Sequence, residues 1–466
     1  LGFTGDIYDG LVLIDSLNRT QLPATAYPFT IGDELVSVDG RDVNSLIDEY
    51  LKYVAYANPK AARRVAAARI TTRPQSRMPH ATDVLNRKVA QVVIHRQNGA
   101  LETYNIPWAV SGTPLEVGPV PTPKAPRAAA PQPASAEPDY MQPLIAAQWS
   151  GVEPENGLNG YGARNPIFIN GLSSFQFTRR LGGSSADFYY SGVFKFNELN
   201  IGYIRIPNYS PPSTSVALTQ FEQEMAYMNL NTDGLIVDEM RNTGGNLCFG
   251  EEIMARLTPY SFQATGFALR PFWSRVLGFY NAWNSAKNNG APKQIVDQYE
   301  LLYKAMLDAN QKGRLITDPL PLCTSSLTRT ALADKNGNLI AYLRPVAMLI
   351  DEFSTSTADS VPGMFQDVRR GWLYGTRTDG AGGNNTTFDA GSYSEGTTGM
   401  TLALQTRQYK VSNAFSGYPY TEYIENVGVW PDVPIEYMTK DNLLQNGVPF
   451  LTSVLQHLAY EIRKIR

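Results

Sequence analysis

The chain has 466 residues, which at about 100 to 200 residues per domain predicts two to four domains and excludes a single small module. Its 43% of hydrophobic residues is typical of globular proteins, whereas its 18% of charged residues is below the roughly 25% of ordinary soluble domains. The 40 basic and 43 acidic residues give a net charge of −3, which argues against a nucleic-acid or anionic-membrane partner. No apolar stretch approaches the roughly 20 residues that cross a bilayer.

Signals for cofactors and for a cellular compartment are sparse. Cys248 and Cys323 have no companion cysteines or histidines at metal-ligand spacing, and the sequence alone does not decide whether they pair. There is no nucleotide-binding glycine loop either, so we expect neither a metal nor a cofactor. The chain begins at Leu1 without a basic and apolar leader, and we expect its natural start to lie upstream.

The first hundred residues are predicted to form a small, mostly β module. Runs of branched residues predict strands at 11–14, 34–38 and 89–94. Between these strands, the spacing over 45–56 predicts a helix. The Ala- and Arg-rich stretch over 58–70, with a proline just inside its start, predicts a second one.

A Pro- and Ala-rich stretch at 111–138 separates this module from the rest of the chain. Such a composition forms a semi-extended linker rather than a packed core. We therefore expect a first domain at 1–110, a linker at 111–145 and a second domain at 146–466.

Strand and helix signals alternate through the second domain. Strands are predicted at 200–206, 234–237 and 346–350, and helices at 216–228, after Cys248, over 275–311 with a break at 288–292, and from about Ser356. This alternation favours an α/β layered domain with a largely parallel sheet. The Gly- and Asn-rich stretch 379–385 is predicted to be a loop, and 443–465 a closing helix.

Ser356 is the first candidate for chemistry, because it follows a buried-type strand at the start of a predicted helix. Free backbone N–H groups and the positive end of the helix dipole gather there and stabilise an anion on a nucleophilic oxygen. Ser356 and Asp359 also have the spacing of a capping box, which by itself favours a helix cap over a catalytic residue.

Two further turns change that balance. Gly244 and Gly245 end another strand of the same predicted sheet, and glycines expose backbone N–H groups without a side chain in the way. Taken alone, this turn is most simply structural, but two strand ends that aim donors at one point would form an oxyanion hole. Glu425 lies in the charged stretch 422–432 and is, in isolation, most simply a solvated carboxylate.

Taken together, these segments resemble the S41 peptidases, the tail-specific or carboxyl-terminal processing proteases. The landmarks occur in order: Gly-Tyr-Ile-Arg-Ile at 202–206, Asp238-x-x-Arg-Asn-x-Gly-Gly245, the turn at Ser356, Asp367, and Glu425-Asn-x-Gly-Val-x-Pro-Asp432. The stretch 31–40 is similar to the PDZ-like module that accompanies this catalytic domain. The resemblance implies a crotonase/ClpP-like layered α/β catalytic domain with a small, mostly β PDZ-like domain.

One branch of the family pairs its serine with a lysine at a position that is Ala381 here, and no lysine occurs between Ser356 and Lys410. The chain instead resembles the branch typified by the secreted chlamydial protease-like activity factor. The segments that carry this resemblance are the 380–383 loop, the 424–426 turn and the 61–79 insertion.

This second resemblance implies a Ser-His-Glu triad. By it, Ser356 is the nucleophile and Glu425 is the acid that orients the base. Gly244, Gly245 and Thr357 would donate hydrogen bonds to the oxyanion.

The histidine base is the difficulty, since a serine hydroxyl needs an adjacent base. His95 lies in a predicted strand and His457 in the closing helix, which favours structural roles for both. His80 lies in a loop and stays a candidate. In the branch that the chain resembles, the histidine precedes the PDZ-like strands, which predicts a base upstream of Leu1.

The sequence therefore predicts a serine endopeptidase that acts on protein or peptide substrates, secreted or otherwise extracytoplasmic, without a cofactor, metal, nucleic acid or membrane span. The resemblance alone implies homodimerisation and processing in the linker. One alternative is a catalytically inactive S41-fold protein that binds a peptide or ligand, because Ala381 replaces the lysine and no base is matched. Another is an interaction module in which residues 1–110 bind extended peptides by strand addition.

Overall fold

The computed structural model describes residues 1–74, 78, 87–112, 144, 149–151, 160–389, 397–411 and 419–465. Most of the predicted linker, and His80, lie outside these residues.

The N-terminal module is an antiparallel sheet with two helices. Its elements are β1 (Phe3–Tyr8), β2 (Leu11–Leu17), β3 (Glu34–Val38), β4 (Arg41–Asp42), α1 (Val43–Tyr50), α2 (Pro59–Thr71), β5 (Val89–His95) and β6 (Leu101–Pro107). The strand order is β1-β2-β3-β5-β6, with β4 paired to β3.

The helix predicted over 58–70 forms as α2, with Asn58 as its N-cap and Pro59 in its first turn. The helix predicted over 45–56 is wrong beyond Tyr50, because Leu51–Tyr53 form a 3₁₀ turn and Val54 is extended. Val54 packs against the core of the module, and this contact overrides the helical spacing of the sequence.

The larger part of the chain carries the remaining elements. These are β7 (Trp149–Gly151), α3 (Ile169–Ser173), β8 (Thr178–Leu181), β9 (Tyr190–Phe196), β10 (Leu199–Arg205), α4 (Thr214–Asn231), β11 (Gly234–Asp238), β12 (Gly244–Asn246), α5 (Leu247–Leu257), β13 (Phe262–Gln263), β14 (Gly266–Leu269), α6 (Trp273–Asn288), α7 (Lys293–Gln311), β15 (Thr328–Arg329), β16 (Val346–Ile350), α8 (Thr357–Asp367), β17 (Trp372–Gly375), β18 (Gly383–Asp389), β19 (Thr397–Val411), β20 (Thr421–Tyr423), β21 (Val433–Pro434), α9 (Lys440–Leu444) and α10 (Val448–Ile465).

A seven-stranded sheet in the order β21-β17-β16-β11-β10-β9-β8 forms the centre of this part. Five neighbouring strands of this sheet pair in parallel: β10, β11, β16, β17 and β21. At the other end, β9 pairs antiparallel with both β10 and β8. Parallel strands need crossover connections: α4 lies between β10 and β11, α5 to α7 between β11 and β16, and α8 between β16 and β17, whereas β18 to β20 lie between β17 and β21. The predicted layered domain with a largely parallel sheet is therefore present.

Helices cover both faces of this sheet. In β16, Met348 and Ile350 point to a core that includes α4, α5 and α8. Ala347 and Leu349 point to the opposite core, which includes α3 and α10. Because both faces are covered, every residue of β16 is buried, as its continuous apolar sequence predicts.

A smaller antiparallel sheet joins β14, β19, β18 and β20. The prediction of a loop over 379–385 is wrong from Gly383 onward, where β18 begins. Gly383 and Asn384 pair with Leu404 and Ala403 of β19, and this pairing outweighs their low strand propensity.

The closing helix predicted over 443–465 is two helices, α9 and α10. Gly447 separates them with a φ of +78°, which a residue with a side chain rarely adopts. A Cβ atom at Gly447 would lie 2.1 Å from the ring of Phe168, so the break also makes room for close packing.

Cys248 and Cys323 form a disulfide with their Cα atoms 5.2 Å apart. Cys248 lies in the first turn of α5, directly after the Gly244–Asn246 turn. Across the residues described, no helix has both the length and the apolarity of a membrane span.

Candidate active site

The predicted site residues meet at the carboxyl edge of the parallel sheet. Asp238 at the end of β11 is level with Leu349 of β16, and Ile350 is level with Gly375 of β17. The turns that follow these strands therefore emerge side by side, which is where open α/β sheets bind ligands.

Ser356 is the N-cap of α8 and has φ 63° and ψ −108°. A non-glycine residue at positive φ is uncommon and is held only where its surroundings determine it. Here the Ser356 N–H donates to Asp359 Oδ2 at 2.6 Å. The side chain of Asp359 thus acts as the capping carboxylate that the sequence predicts.

Gly244 touches the serine turn so closely that only glycine fits. A Cβ atom at this position would lie 2.5 Å from the Thr355 carbonyl oxygen, 2.9 Å from Ser356 Cβ and 3.1 Å from the Thr357 nitrogen. The φ of Gly244 is +77°, so its backbone also favours glycine. The glycine turn and the serine turn are therefore in direct contact.

The predicted oxyanion donors have specific partners. The Gly244 N–H donates to Asn242 Oδ1 at 2.9 Å, so it serves an oxyanion only if it exchanges that partner. The Thr357 hydroxyl donates to the Gly245 carbonyl at 2.9 Å and ties the two turns together. The strand β7 pairs antiparallel with Gly244–Asn246, so an extended segment lies along the glycine turn.

Glu425 follows β20 and lies against the 380–383 loop. A Cβ atom at Gly382 would lie 2.7 Å from the Glu425 nitrogen, and one at Gly383 would lie 3.0 Å from Glu425 Oε2. Within the described ranges, the buried Oε2 atom of Glu425 has no hydrogen-bond partner. Burial, and then the charge of Asp379, raise the pKa of the Glu425 carboxyl.

The 380–383 loop links Glu425 to the serine turn. The Gly380 N–H donates to Asp359 Oδ1 at 2.9 Å, and the Gly380 carbonyl accepts from the Asn426 N–H at 2.7 Å. Ser356 and Glu425 are thus joined through Asp359, Gly380 and Asn426. The loop therefore links Glu425 to the serine turn, and the glycine turn contacts the serine turn from another side through Gly244 and Gly245.

Two buried carboxylates surround Ser356. Burial and the charge of Asp379 raise the pKa of Asp359 to about 7. Burial raises the pKa of Asp379 to about 6. Burial thus disfavours the ionised form of both carboxyls beside Ser356, and shifts of this kind are common at functional sites.

The two histidines in the described ranges lie elsewhere. His95 is exposed in β5, with its Nδ1 atom 3.1 Å from Glu34 Oε2. His457 in α10 has its Nδ1 atom 2.7 Å from the Tyr374 hydroxyl, and its ring packs edge-on against Trp372, the first residue of β17. Trp372 is level with the start of β16, whereas Ser356 follows its end.

Peptidase family S41 matches residues 200–435, just over half of the chain, and a PDZ domain matches residues 1–115. The fold is thus that of a layered α/β peptidase domain preceded by a PDZ domain, which confirms the predicted fold class. The chain belongs to peptidase family S41, and this membership supports a serine protease function.

The relatives are chlamydial proteins. An uncharacterized protein of Chlamydia muridarum is 23% identical over 458 residues, which cover 88% of this chain and 72% of that protein. A protein of Chlamydia trachomatis serovar D is 23% identical over 266 residues, which cover 52% of this chain and 42% of that protein. The latter match thus spans less than half of that relative.

Among solved structures, mature CPAF complexed with lactacystin is similar, with a TM-score of 0.68 and 19% identity over 100% of this chain and 84% of that chain. Mature CPAF has the same TM-score and identity over 99% of this chain and 82% of that chain. At this identity the likeness establishes a shared fold, and the predicted resemblance to that branch is confirmed at the level of fold.

Proposed function

We propose that this chain is a serine endopeptidase in which Ser356 attacks the peptide carbonyl and Glu425 orients a histidine base. One observation carries the proposal. Ser356, held at positive φ against the Gly244 turn, is joined through a single loop to a buried Glu425 oxygen that has no partner in the described residues. A carboxylate of this kind is suited to accept the N–H of an imidazole.

In the proposed reaction the base takes the proton of Ser356 Oγ as the oxygen bonds to the carbonyl carbon. The helix dipole of α8 and the N–H groups of the Gly244–Gly245 turn and of Thr357 stabilise the oxyanion. The protonated base then gives its proton to the leaving amine, and an acyl-enzyme remains. Water, activated by the same base, releases the acid and restores Ser356.

We propose that the base is a histidine upstream of Leu1. Two observations support this origin: His95 contacts Glu34, and His457 contacts Tyr374 away from Ser356. The buried acidic surroundings of Glu425 favour the cationic form of an imidazole placed there. Protein or peptide substrates outside the cytoplasm, and a homodimer, belong to the same proposal.

Substitution of the serine tests this function. Ser356→Ala should lower peptide hydrolysis by about 10⁴-fold or more in the chain extended to its native start, with the fold intact. Ser453→Ala is the matched control, because Ser453 is an exposed serine whose hydroxyl donates to the Pro449 carbonyl in α10. Hydrolysis that persists in Ser356→Ala would sink the assignment.

A fluorophosphonate serine-hydrolase probe locates the base. Labelling of Ser356 only in the extended chain supports an upstream histidine. Labelling in the 466-residue chain as well would place the base inside it and make His80→Ala the next variant.

A second candidate is an inactive S41-fold protein that binds a peptide or ligand. Ala381 at the lysine position and the Gly244 N–H bound to Asn242 favour it. No labelling in either folded form, together with binding of extended peptides, would support this alternative.

A further inference from the structure

We infer that Asn58 and Arg64, which belong to the PDZ domain, are positioning residues for Ser356. Both lie on α2 or at its start, and both reach the turns at the carboxyl edge of the central sheet. The inference rests on the proposed function, because it concerns the geometry of the same serine.

Asn58 is both the N-cap of α2 and a clamp on the turn after β17. Its side-chain oxygen accepts from the Lys60 N–H, which begins the helix. Its Nδ2 group donates to the carbonyls of Arg377 at 2.9 Å and Thr378 at 3.1 Å. Its backbone N–H donates to Asp379 Oδ1 at 2.9 Å, so one buried side chain and its backbone make four hydrogen bonds.

The clamped turn is bonded directly to the serine turn. Thr378 donates its hydroxyl to Asp359 Oδ1, and Asp359 Oδ2 accepts from the Ser356 N–H. In addition, the Asp379 N–H donates to the Ser354 carbonyl at 2.9 Å. Two routes therefore connect Asn58 to the serine turn, one through Thr378 and Asp359 to the Ser356 N–H and one through Asp379 to the Ser354 carbonyl.

Arg64 holds the same edge from the next turn of α2. Its guanidinium donates to Glu352 Oε1 at 2.7 Å and to both oxygens of Asp6, and it lies 4.8 Å from the ring centre of Phe353. The other oxygen of Glu352 accepts from the Thr376 hydroxyl at 2.5 Å. Arg64 thus bridges β1 of the PDZ domain and the turn that leads to Ser356.

The burial of these charges makes the docking of α2 specific. The side chains of Arg64 and Glu352 are 1% and 0% exposed. Burial alone would raise the pKa of Glu352, but Arg64 and then Lys60 lower it to about 2. Loss of the Arg64 guanidinium alone would leave the Glu352 carboxylate buried without its 2.7 Å partner, which is strongly unfavourable. Arg64 therefore stabilises the position of Glu352, four residues before Ser356, when α2 is docked.

The Asn58→Asp variant removes the Nδ2 hydrogen bonds to the turn after β17 and keeps the side-chain oxygen that caps α2. Aspartate is as good an N-cap as asparagine, but it cannot donate to the Arg377 and Thr378 carbonyls and adds a charge beside Asp379. The matched control is Asp42→Asn at the N-cap of α1, where an exposed side chain accepts from the Asn44 and Ser45 N–H groups.

Amide hydrogen exchange is the first readout, because it needs no activity. In Asn58→Asp, exchange in peptides covering 351–360 and 376–380 should rise by about tenfold or more, while the rest of the chain keeps its protection. In Asp42→Asn, these peptides should exchange as in the parent. Unchanged exchange in Asn58→Asp would overturn the inference.

The rate of fluorophosphonate labelling is the second readout, and parent and variant are both compared in the chain extended to its native start. In Asn58→Asp the maximal labelling rate of Ser356 should fall by about tenfold or more, with the half-saturating probe concentration unchanged, because the clamp acts on the serine and not on probe binding. A parental labelling rate would also overturn the inference. A parent that is not labelled, with exchange altered in the variant, would instead count against the proposed function alone.

Asn58→Ser covers the case in which the aspartate variant unfolds. Serine keeps the N-cap without adding charge and lacks the two Nδ2 donors. We expect the same local rise in exchange at 351–360, smaller than in Asn58→Asp. Parental exchange in the serine variant would overturn the inference.

Discussion

The turn that carries Ser356 and the turn that carries Glu425 differ in how their polar groups are satisfied. In the serine turn, the Ser354 hydroxyl donates to the Glu239 carbonyl at 2.8 Å, and the Thr355 N–H donates to the Asn242 carbonyl at 3.0 Å. In the other turn, Glu425 Oε2 is buried without a partner among the residues described.

The difference matches the two roles proposed for these turns, a nucleophile at Ser356 and an orienting carboxylate at Glu425. A nucleophile on a strained turn needs neighbours that hold it, and the serine turn has these within the chain. In the proposed mechanism an orienting carboxylate needs an acceptor for an imidazole, and Glu425 Oε2 has no partner among the described residues. The serine turn is therefore held by partners elsewhere in the described chain, whereas in the proposed mechanism the partner of Glu425 Oε2 is an added histidine.

Gly244→Ala should break the serine turn and have the largest effect. Its Cβ atom would lie 2.5 Å from the Thr355 carbonyl oxygen and would displace both Ser356 and the glycine turn. Loss of nucleophile alignment and of an oxyanion donor together should lower hydrolysis by about 10⁴- to 10⁵-fold.

Gly40→Ala is the matched control for backbone strain. Gly40 has φ +75°, close to the +77° of Gly244, but nothing lies within 4 Å of its Cβ position. Steady-state kinetics and thermal unfolding of both variants separate strain from collision. Equal loss of activity in both would mean that contact with Ser356 is not the cause.

Glu425→Gln tests the proposed role of the second turn. Hydrolysis should fall by about 10²- to 10⁴-fold, because a neutral amide no longer stabilises the imidazolium. The melting temperature should stay the same or rise, since a buried carboxylate without a partner is lost. Glu422→Gln is the control, because Glu422 in β20 lies 3.8 Å from Lys410 at the surface. A marked drop in melting temperature would show that Glu425 is structural.

Asp379→Asn should have the smallest effect and appear only in the pH dependence. Burial raises the pKa of Asp379 to about 6 from 3.8. Between these values the unfolded chain has released a proton that the folded chain keeps, so this group makes stability fall as the pH rises. The variant should gain stability relative to the parent between about pH 4 and about pH 7 in thermal unfolding. Parallel curves for the two proteins would refute this shift.

Local patterns in the sequence predict much of the central sheet. The strand at 346–350 is found with those bounds, because a strand buried on both faces is continuously apolar. The helix start at Asn58 and Pro59 is equally local. The ordered turns around Gly244, Ser356 and Glu425 come from the family resemblance. In the structure Gly244 contacts the serine turn, and the 380–383 loop links that turn to Glu425.

Contacts between segments far apart in the chain could not be predicted from local sequence patterns. Asn58 and Asp379 are separated by 321 positions and Arg64 and Glu352 by 288, so no spacing rule connects them. The start of β18 at Gly383 likewise depends on its pairing with Leu404 of β19. The hydrogen bond from the Gly244 N–H to Asn242 Oδ1 is local, but it depends on the direction of the Asn242 side chain, which the sequence does not fix. The pairing of the two cysteines is likewise decided by the fold.

The disulfide between Cys248 and Cys323 encloses α6, α7 and the turn between them. That turn exposes Asn289 and Gly290, and exposed turns of this kind are where proteases cut. A single cut there leaves two polypeptides that remain covalently joined beside the glycine turn. The protein can therefore persist as a nicked, two-chain molecule, which separates into its pieces only when the disulfide is reduced and the chain is denatured.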